Sequence, residues 1–335
     1  MTRLLDPLRD EDPLPPSRVD IDQAVRIGRR RVRVRWSGAA VIVVVVAVLV
    51  PVLGLPGNGG SSVGPATQPE LAIDYPEFDP MRRVVEVGDV RGVEPFSYTT
   101  ARQWQRVNLQ IGKSGFATLT VYAPGREATD AEGIMQPETG TPGQPVGGRA
   151  SYWLSRGSNE VLAWQWAAGA WAFINLQSAD DGSEPDRDTM RAIAQAVQVH
   201  DKAGEQVAMP FTVPLPAPYQ LIGTTTQLRS AGDPFVRTGL LFATEDPADP
   251  DRQYSGVSVH VENGSKMAMH AGANQNVDGH PAMVADQEVI IFDAADDFAV
   301  DVEGTGEADL LPIARGVQLV PAPSDRSTWV TQPVS

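Results

Sequence analysis

The chain has 335 residues, 42 acidic against 27 basic side chains, a formal charge of −15 and no cysteine. Its length admits one large domain or two ordinary ones. The missing thiols exclude disulfide staples, thiolate catalysis, Cys-ligated zinc or iron–sulfur centres and a lipidated cysteine anchor.

Residues 1–36 carry nine Arg and six acidic residues. Four prolines among charges in residues 1–18 predict a disordered, Arg-rich cytoplasmic tail. Between Ala39 and Leu55 no charge occurs, and Val41 to Val50 is unbroken apolar sequence. As a helix, residues 37–56 reach about 30 Å, enough to cross a hydrocarbon core. Arg26, Arg29, Arg30, Arg31, Arg33 and Arg35 lie just before this span, so the expectation is a single-pass protein of the cytoplasmic membrane, N-terminus inside and C-terminal domains outside. The Gly, Ser and Pro content of residues 57–69 reads as a flexible linker. Gly60-Ser61-Ser62-Val63-Gly64 matches the hydrolase pattern G-x-S-x-G, but no strand-like run precedes it and no helical one follows, so it carries no nucleophile elbow.

Past the linker the sequence repeats itself. Val146-Gly147-Gly148-Arg149 corresponds to Val277-Asp278-Gly279-His280. Leu162, Trp164, Trp171 and Phe173 correspond to Val289, Ile291, Phe298 and Val300 at a constant offset of 127. Two closing segments match as well, Ile193-Ala194-Gln195-Ala196-Val197 and Ile313-Ala314-Arg315-Gly316-Val317. Met190, Ile193 and Val197, and again Leu310, Ile313 and Val317, fall at helical spacing. Alternation predicts strands at Ala117–Tyr122 and Val257–Val261, the latter turning at Asn263-Gly264 and returning over Lys266–His270.

The fold class expected is therefore α+β: one N-terminal transmembrane helix, then two tandem repeats, each a mainly antiparallel sheet with one packed helix. The first extracytoplasmic domain is placed at 70–204, the second at 205–323 and a tail at 324–335.

The glycine-basic turn, the apolar hairpin and the closing I-A-x-x-V helix, together with the flank Ala24-Val25-Arg26-Ile27-Gly28-Arg29-Arg30-Arg31, resemble single-pass membrane proteins of actinobacteria with tandem α+β envelope-type ectodomains. Some proteins of that layout look like anti-sigma or envelope-stress regulators. The resemblance implies outward domains that bind, and it carries over no catalytic residue. The 36-residue tail lacks the Cys and His ligands of a zinc-type sigma-binding domain.

Trp153, Trp164, Trp166 and Trp171 lie close together, with Tyr152 and Phe173 beside them. Such rings suit either a core or a flat ligand face. Trp164 and Trp171 map to apolar residues in the second copy and read as core, whereas Trp166 maps to Asp293 and so reads as exposed. Trp166 and Tyr152 are the candidate ligand-binding residues. No metal is expected, because His260, His270 and His280 stand ten apart, far from the tight spacing of ligand pairs. The acidic runs Asp180 to Asp188 and Asp246 to Asp251 lack the spacing of a calcium loop. No cofactor is expected either. Beyond residue 36 the chain has 18 basic and 36 acidic residues, which repels nucleic acid. The function expected is that of a non-enzymatic, membrane-anchored binding or sensing protein whose partner is a cell-envelope component or a membrane protein. The alternatives are an assembly factor of a membrane complex and, third, a carbohydrate-active enzyme.

Overall fold

A computed structural model of the chain describes residues 77–112, 114–130, 133–156, 159–177, 186–200, 204–214, 217–228, 236–245, 256–263, 272–295, 297–305 and 309–335. β-branched and aromatic residues alternating with polar ones dominate these segments, and they pair into one antiparallel sheet of fourteen strands. In the first half these are β1 (Val93–Ala101), β2 (Trp104–Ile111), β3 (Gly115–Tyr122), β4 (Thr141–Pro142), β5 (Ser151–Arg156), β6 (Asn159–Ala167) and β7 (Ala170–Gln177). In the second they are β8 (Gln220–Leu228), β9 (Val236–Ala243), β10 (Gly256–Asn263), β11 (Gln275–Val277), β12 (His280–Ala285), β13 (Glu288–Ala295) and β14 (Phe298–Gly304).

Across the sheet the order is β11-β12-β13-β14-β10-β9-β8-β1-β2-β3-β7-β6-β5-β4. Outward from the central β8–β1 pair, both halves run through the same topology: a three-stranded meander, then the last strand of the half, then its predecessors in reverse. Each half also closes with a short helix, α1 (Arg187–Ala196) and α2 (Leu310–Gly316). The chain leaving each helix pairs with the chain entering its half: Val197–Val199 with Val85–Val87, and Gln318–Leu319 with Phe211–Thr212.

The helices form where the apolar spacing places them. Asp186 caps α1 by accepting from the Asp188 N–H at 2.9 Å, and Met190, Ile193 and Ala194 turn inward. They pack on Val107, Leu109, Leu119, Leu162, Trp164 and Ile174 to make the first core. In the second half Leu310 and Ala314 of α2 meet Val259, Val261, Val289, Val300 and Val302. The repeated turn has a physical basis, since Gly147, Gly148, Asp278 and Gly279 all adopt positive φ, between 51° and 94°. A two-residue hairpin needs that conformation at both central positions.

Four expectations are corrected. First, the class is mostly β, not α+β: among the described residues the α-helices are two short segments, and one sheet runs through both halves where two separate ones were expected. The reason is that β1 and β8 pair edge to edge, satisfying backbone groups that two isolated sheets would leave open. Second, the transmembrane helix at 37–56 lies outside the described residues, and among the described residues no helix is long and apolar enough to cross a membrane. Single-pass anchoring and localisation to the cytoplasmic membrane are therefore not supported. Third, the returning strand expected at Lys266–His270 lies outside the described residues, and the strand holding Val257–Val261 pairs elsewhere. Both edges of β10 are already taken, by β9 and by β14. Fourth, the constant offset of 127 holds only through β6 and β13. Leu162 pairs with Ile174 and Val289 with Val302, so the last strands correspond at an offset of 128. The irregularity between Ile291 and Ala295 holds one residue more than that between Gln165 and Ala167.

Candidate functional site

The shift in offset decides which residues share a place on the face of the sheet opposite the helices. In the first half Trp104, Tyr122, Leu154, Val161, Ala163 and Phe173 pack on that face with Ala128 and Met135, beside the buried polar side chains of Arg106, Thr120 and Asn175. Following the ladders, the places of Val161, Tyr122 and Phe173 are taken in the second half by Glu288, Glu262 and Asp301. Trp104 becomes Arg237 by the same rule. At these four places apolar or aromatic side chains of the first half give way to charged ones in the second.

Register assembles the charged layer. Glu288, Glu303 and Ser258 lie in one cross-strand row, Asp301, His260 and Gly239 in the next, and Glu262 with Arg237 in a third. Arg237 bridges the rows, with one guanidinium nitrogen 2.9 Å from Asp301 Oδ2 and 3.1 Å from Glu303 Oε1, and the other 3.8 Å from Glu262 Oε2. Three carboxyl groups thus face one guanidinium, and Glu288 lies beside two of them, Asp301 and Glu303. Asp301 is 3% exposed, and its Oδ1 has no hydrogen-bond partner. A buried, unsatisfied carboxyl oxygen costs free energy. Burial pushes the Asp301 carboxyl up, to about 8; Arg237 pulls it down, and Glu303, Glu288 and Glu262 push it further up. For Arg237, burial pulls the guanidinium down, but the surrounding carboxylates outweigh it and the net shift is upward. His260 is buried beside them, and burial, then Arg237, hold its imidazole well below the usual range, so it is neutral. Its Nδ1 also lacks a partner. The ring lies so close to β9 that a Cβ on Gly239 would stand 2.3 Å from Nδ1.

One further property concerns cations. Among the described residues, Glu288, Asp301 and Glu303 form the one set of three carboxylate, imidazole or thiol groups whose ligand atoms all lie within 4.8 Å of one another.

The sequence-predicted ligand residues lie elsewhere. Trp166 is 8% exposed, donates its indole N–H to the Tyr122 carbonyl at 2.9 Å and stacks on Phe78 at 6.4 Å, inside the first core. The exposure inferred from Asp293 is not found. Tyr152 is half-buried on the opposite face, tilted against Trp171 at 5.9 Å. The two candidates do not come together, because Tyr152 packs on one side of the sheet and Trp166 on the other. His270, Asp180, Asp181 and Glu184, and the run 246–251, lie outside the described residues. Sequence reasoning missed Arg237, Glu262, Glu288, Asp301 and Glu303. A signal existed: at the corrected offset Phe173 aligns with Asp301, an aromatic exchanged for an acid within an apolar strand.

The described residues form a mostly β protein of two like half-sheets, one backed mainly by apolar side chains and the other by a partly buried carboxylate–arginine cluster. No protein-family profile matches it, and no curated protein is detectably similar to it.

Proposed function

We propose that this is a non-enzymatic binding protein whose ligand-bearing element is the charged face of β9, β10, β13 and β14. The observation that carries the reading is the exchange between halves. The first half shows that this topology closes with Val161, Phe173 and Tyr122 on that face, so the fold does not need Glu288, Asp301 and Glu262 there. Buried charge is a poor stabiliser compared with well-packed apolar residues. Charges kept at such a cost are explained by something that interacts with them. A cluster of carboxyl groups selects a cationic ligand. Catalysis is disfavoured because His260, the base nearest the carboxylates, has its ring seated against Gly239 of the neighbouring strand, where no substrate atom fits.

The test is stability without ligand. A Glu288→Gln, Asp301→Asn double variant of the full chain, melted in chelator, unfolds at or above the wild-type temperature, since it keeps Glu262 and Glu303 for Arg237 and sheds surplus charge. A fall of more than about 5 °C, on the order of 2 kcal/mol for a protein of this size, would make the layer a structural clamp and remove the reading.

A further inference from the structure

Resting on that reading, we infer that Glu288, Asp301 and Glu303 form a binding site for a hard divalent cation of calcium size. Two observations carry it. The ligand atoms of the three side chains lie within 4.8 Å of one another, and two oxygens bound to one calcium at about 2.4 Å each can be no farther apart than about 4.8 Å. Asp301 Oδ1, on a side chain only 4% exposed, has no hydrogen-bond partner, while Oδ2 is engaged by Arg237. A buried polar atom left open in an otherwise bonded sheet is where a ligand atom completes the arrangement.

The donor set selects the metal class. All three ligands are carboxylates, which favour calcium, magnesium or manganese over zinc or copper. His260 sits in the row of Asp301 yet is not among the groups that converge, its Nδ1 lying towards Gly239. The site therefore has no nitrogen donor to draw a softer metal. Its position explains why no linear motif announces it. Glu288 begins β13, whereas Asp301 and Glu303 are alternate residues of β14, and the β13–β14 ladder sets Glu288 opposite Glu303. Asp301 and Glu303, two apart on a strand, point to one face. Arg237 approaches the same carboxylates from β9 and holds Asp301 Oδ2 and Glu303 Oε1 in place. That contact fixes the orientation of both side chains before the cation arrives.

The experiment uses the full chain stripped with chelator and titrated with calcium chloride by isothermal calorimetry, with thermal melts in parallel. One site per chain is expected, with a melting temperature that rises with calcium concentration. Asp301→Asn and Glu303→Gln should each weaken calcium at least tenfold, the scale on which loss of a ligand or its support acts. Glu138→Gln, an exposed acid of the first half, should leave it unchanged. No saturable heat and no melting shift at 10 mM calcium would overturn the site, as would equal loss in the Glu138 variant or an unchanged calcium response in both ligand variants. Glu303→Gln covers the case in which Asp301→Asn fails to fold. A charged layer that proves dispensable for stability while calcium does not bind would sink the cation and leave the binding face standing.

Discussion

Replacing Trp166 by alanine distinguishes a core ring from a ligand platform. The side chain is 8% exposed in the native protein, lies in the core under α1 and stacks on Phe78. An indole buries roughly 200 Å² of largely apolar surface, about 5 kcal/mol at about 25 cal/mol per Å². Partial collapse of the surrounding residues brings the expected cost to about 3–5 kcal/mol, as for other large-to-alanine changes in cores. Trp166→Phe dissects that figure. It keeps part of the ring but deletes the hydrogen bond to the Tyr122 carbonyl and three buried ring atoms, and so costs about 2–3 kcal/mol, less than the alanine variant. Tyr152→Ala, on the other face and half-buried, costs about 1–2 kcal/mol. Urea unfolding followed by circular dichroism measures all three without relying on the fluorescence that Trp166 itself contributes. A Trp166→Ala protein within about 1 kcal/mol of wild type, at an unchanged denaturant slope, would refute the packing argument and return Trp166 to the surface.

Other outcomes follow from the same contacts. Gly239→Ala places a Cβ 2.3 Å from His260 Nδ1 and 2.7 Å from the Val259 carbonyl, so the second half should lose about 3 kcal/mol or more in thermal or urea melts. Gly223→Ala sets its Cβ 2.3 Å from the Thr100 carbonyl across the β1–β8 seam and should be similarly costly, while Thr100→Val, which breaks the 2.7 Å hydroxyl contact with Thr224, should cost about 1–3 kcal/mol. The Glu160 carboxyl is held below its ordinary range, first by its hydrogen bond from Arg187, against a small burial penalty and with added attraction from the same guanidinium. The pair therefore contributes stability above the ordinary carboxylate range and loses it as pH falls through the lowered value. Because both partners are largely exposed, Glu160→Gln should cost about 0.2–1 kcal/mol near pH 7 and nothing near pH 2, read from paired melts.

Local patterns carried much of this architecture. The helical spacing of Met190, Ile193 and Val197, the alternation in Val257–Val261 and the Asp278-Gly279 turn all express short-range physics, and each occurs where the sequence places it. Long-range pairing is a different matter. Nothing within Gly256–Asn263 says that its second edge belongs to Phe298–Gly304, some forty residues on, so the nearest apolar run after Asn263-Gly264 was the natural candidate. The misplacement of Trp166 had an equally specific origin. Two bulges of unequal length cannot be aligned by a constant offset, and one residue of slip exchanges the faces of a strand. That slip also hid the site. Aligned at 127, Phe173 faces Val300 and the copies look alike; aligned at 128, it faces Asp301 and the difference between them becomes visible. Glu288, Asp301 and Arg237 come from three strands with no sequence proximity, so no spacing rule could have gathered them.

The antiparallel β1–β8 seam is the arrangement that two identical chains would reach by joining their first strands about a twofold axis. In such a dimer every substitution is made twice, and a carboxylate layer introduced behind one sheet would appear behind both. A single chain carrying both copies escapes that constraint. One copy can keep Val161, Tyr122 and Phe173 on the face where its neighbour carries Glu288, Glu262 and Asp301, while the two remain joined through one hydrogen-bonded edge.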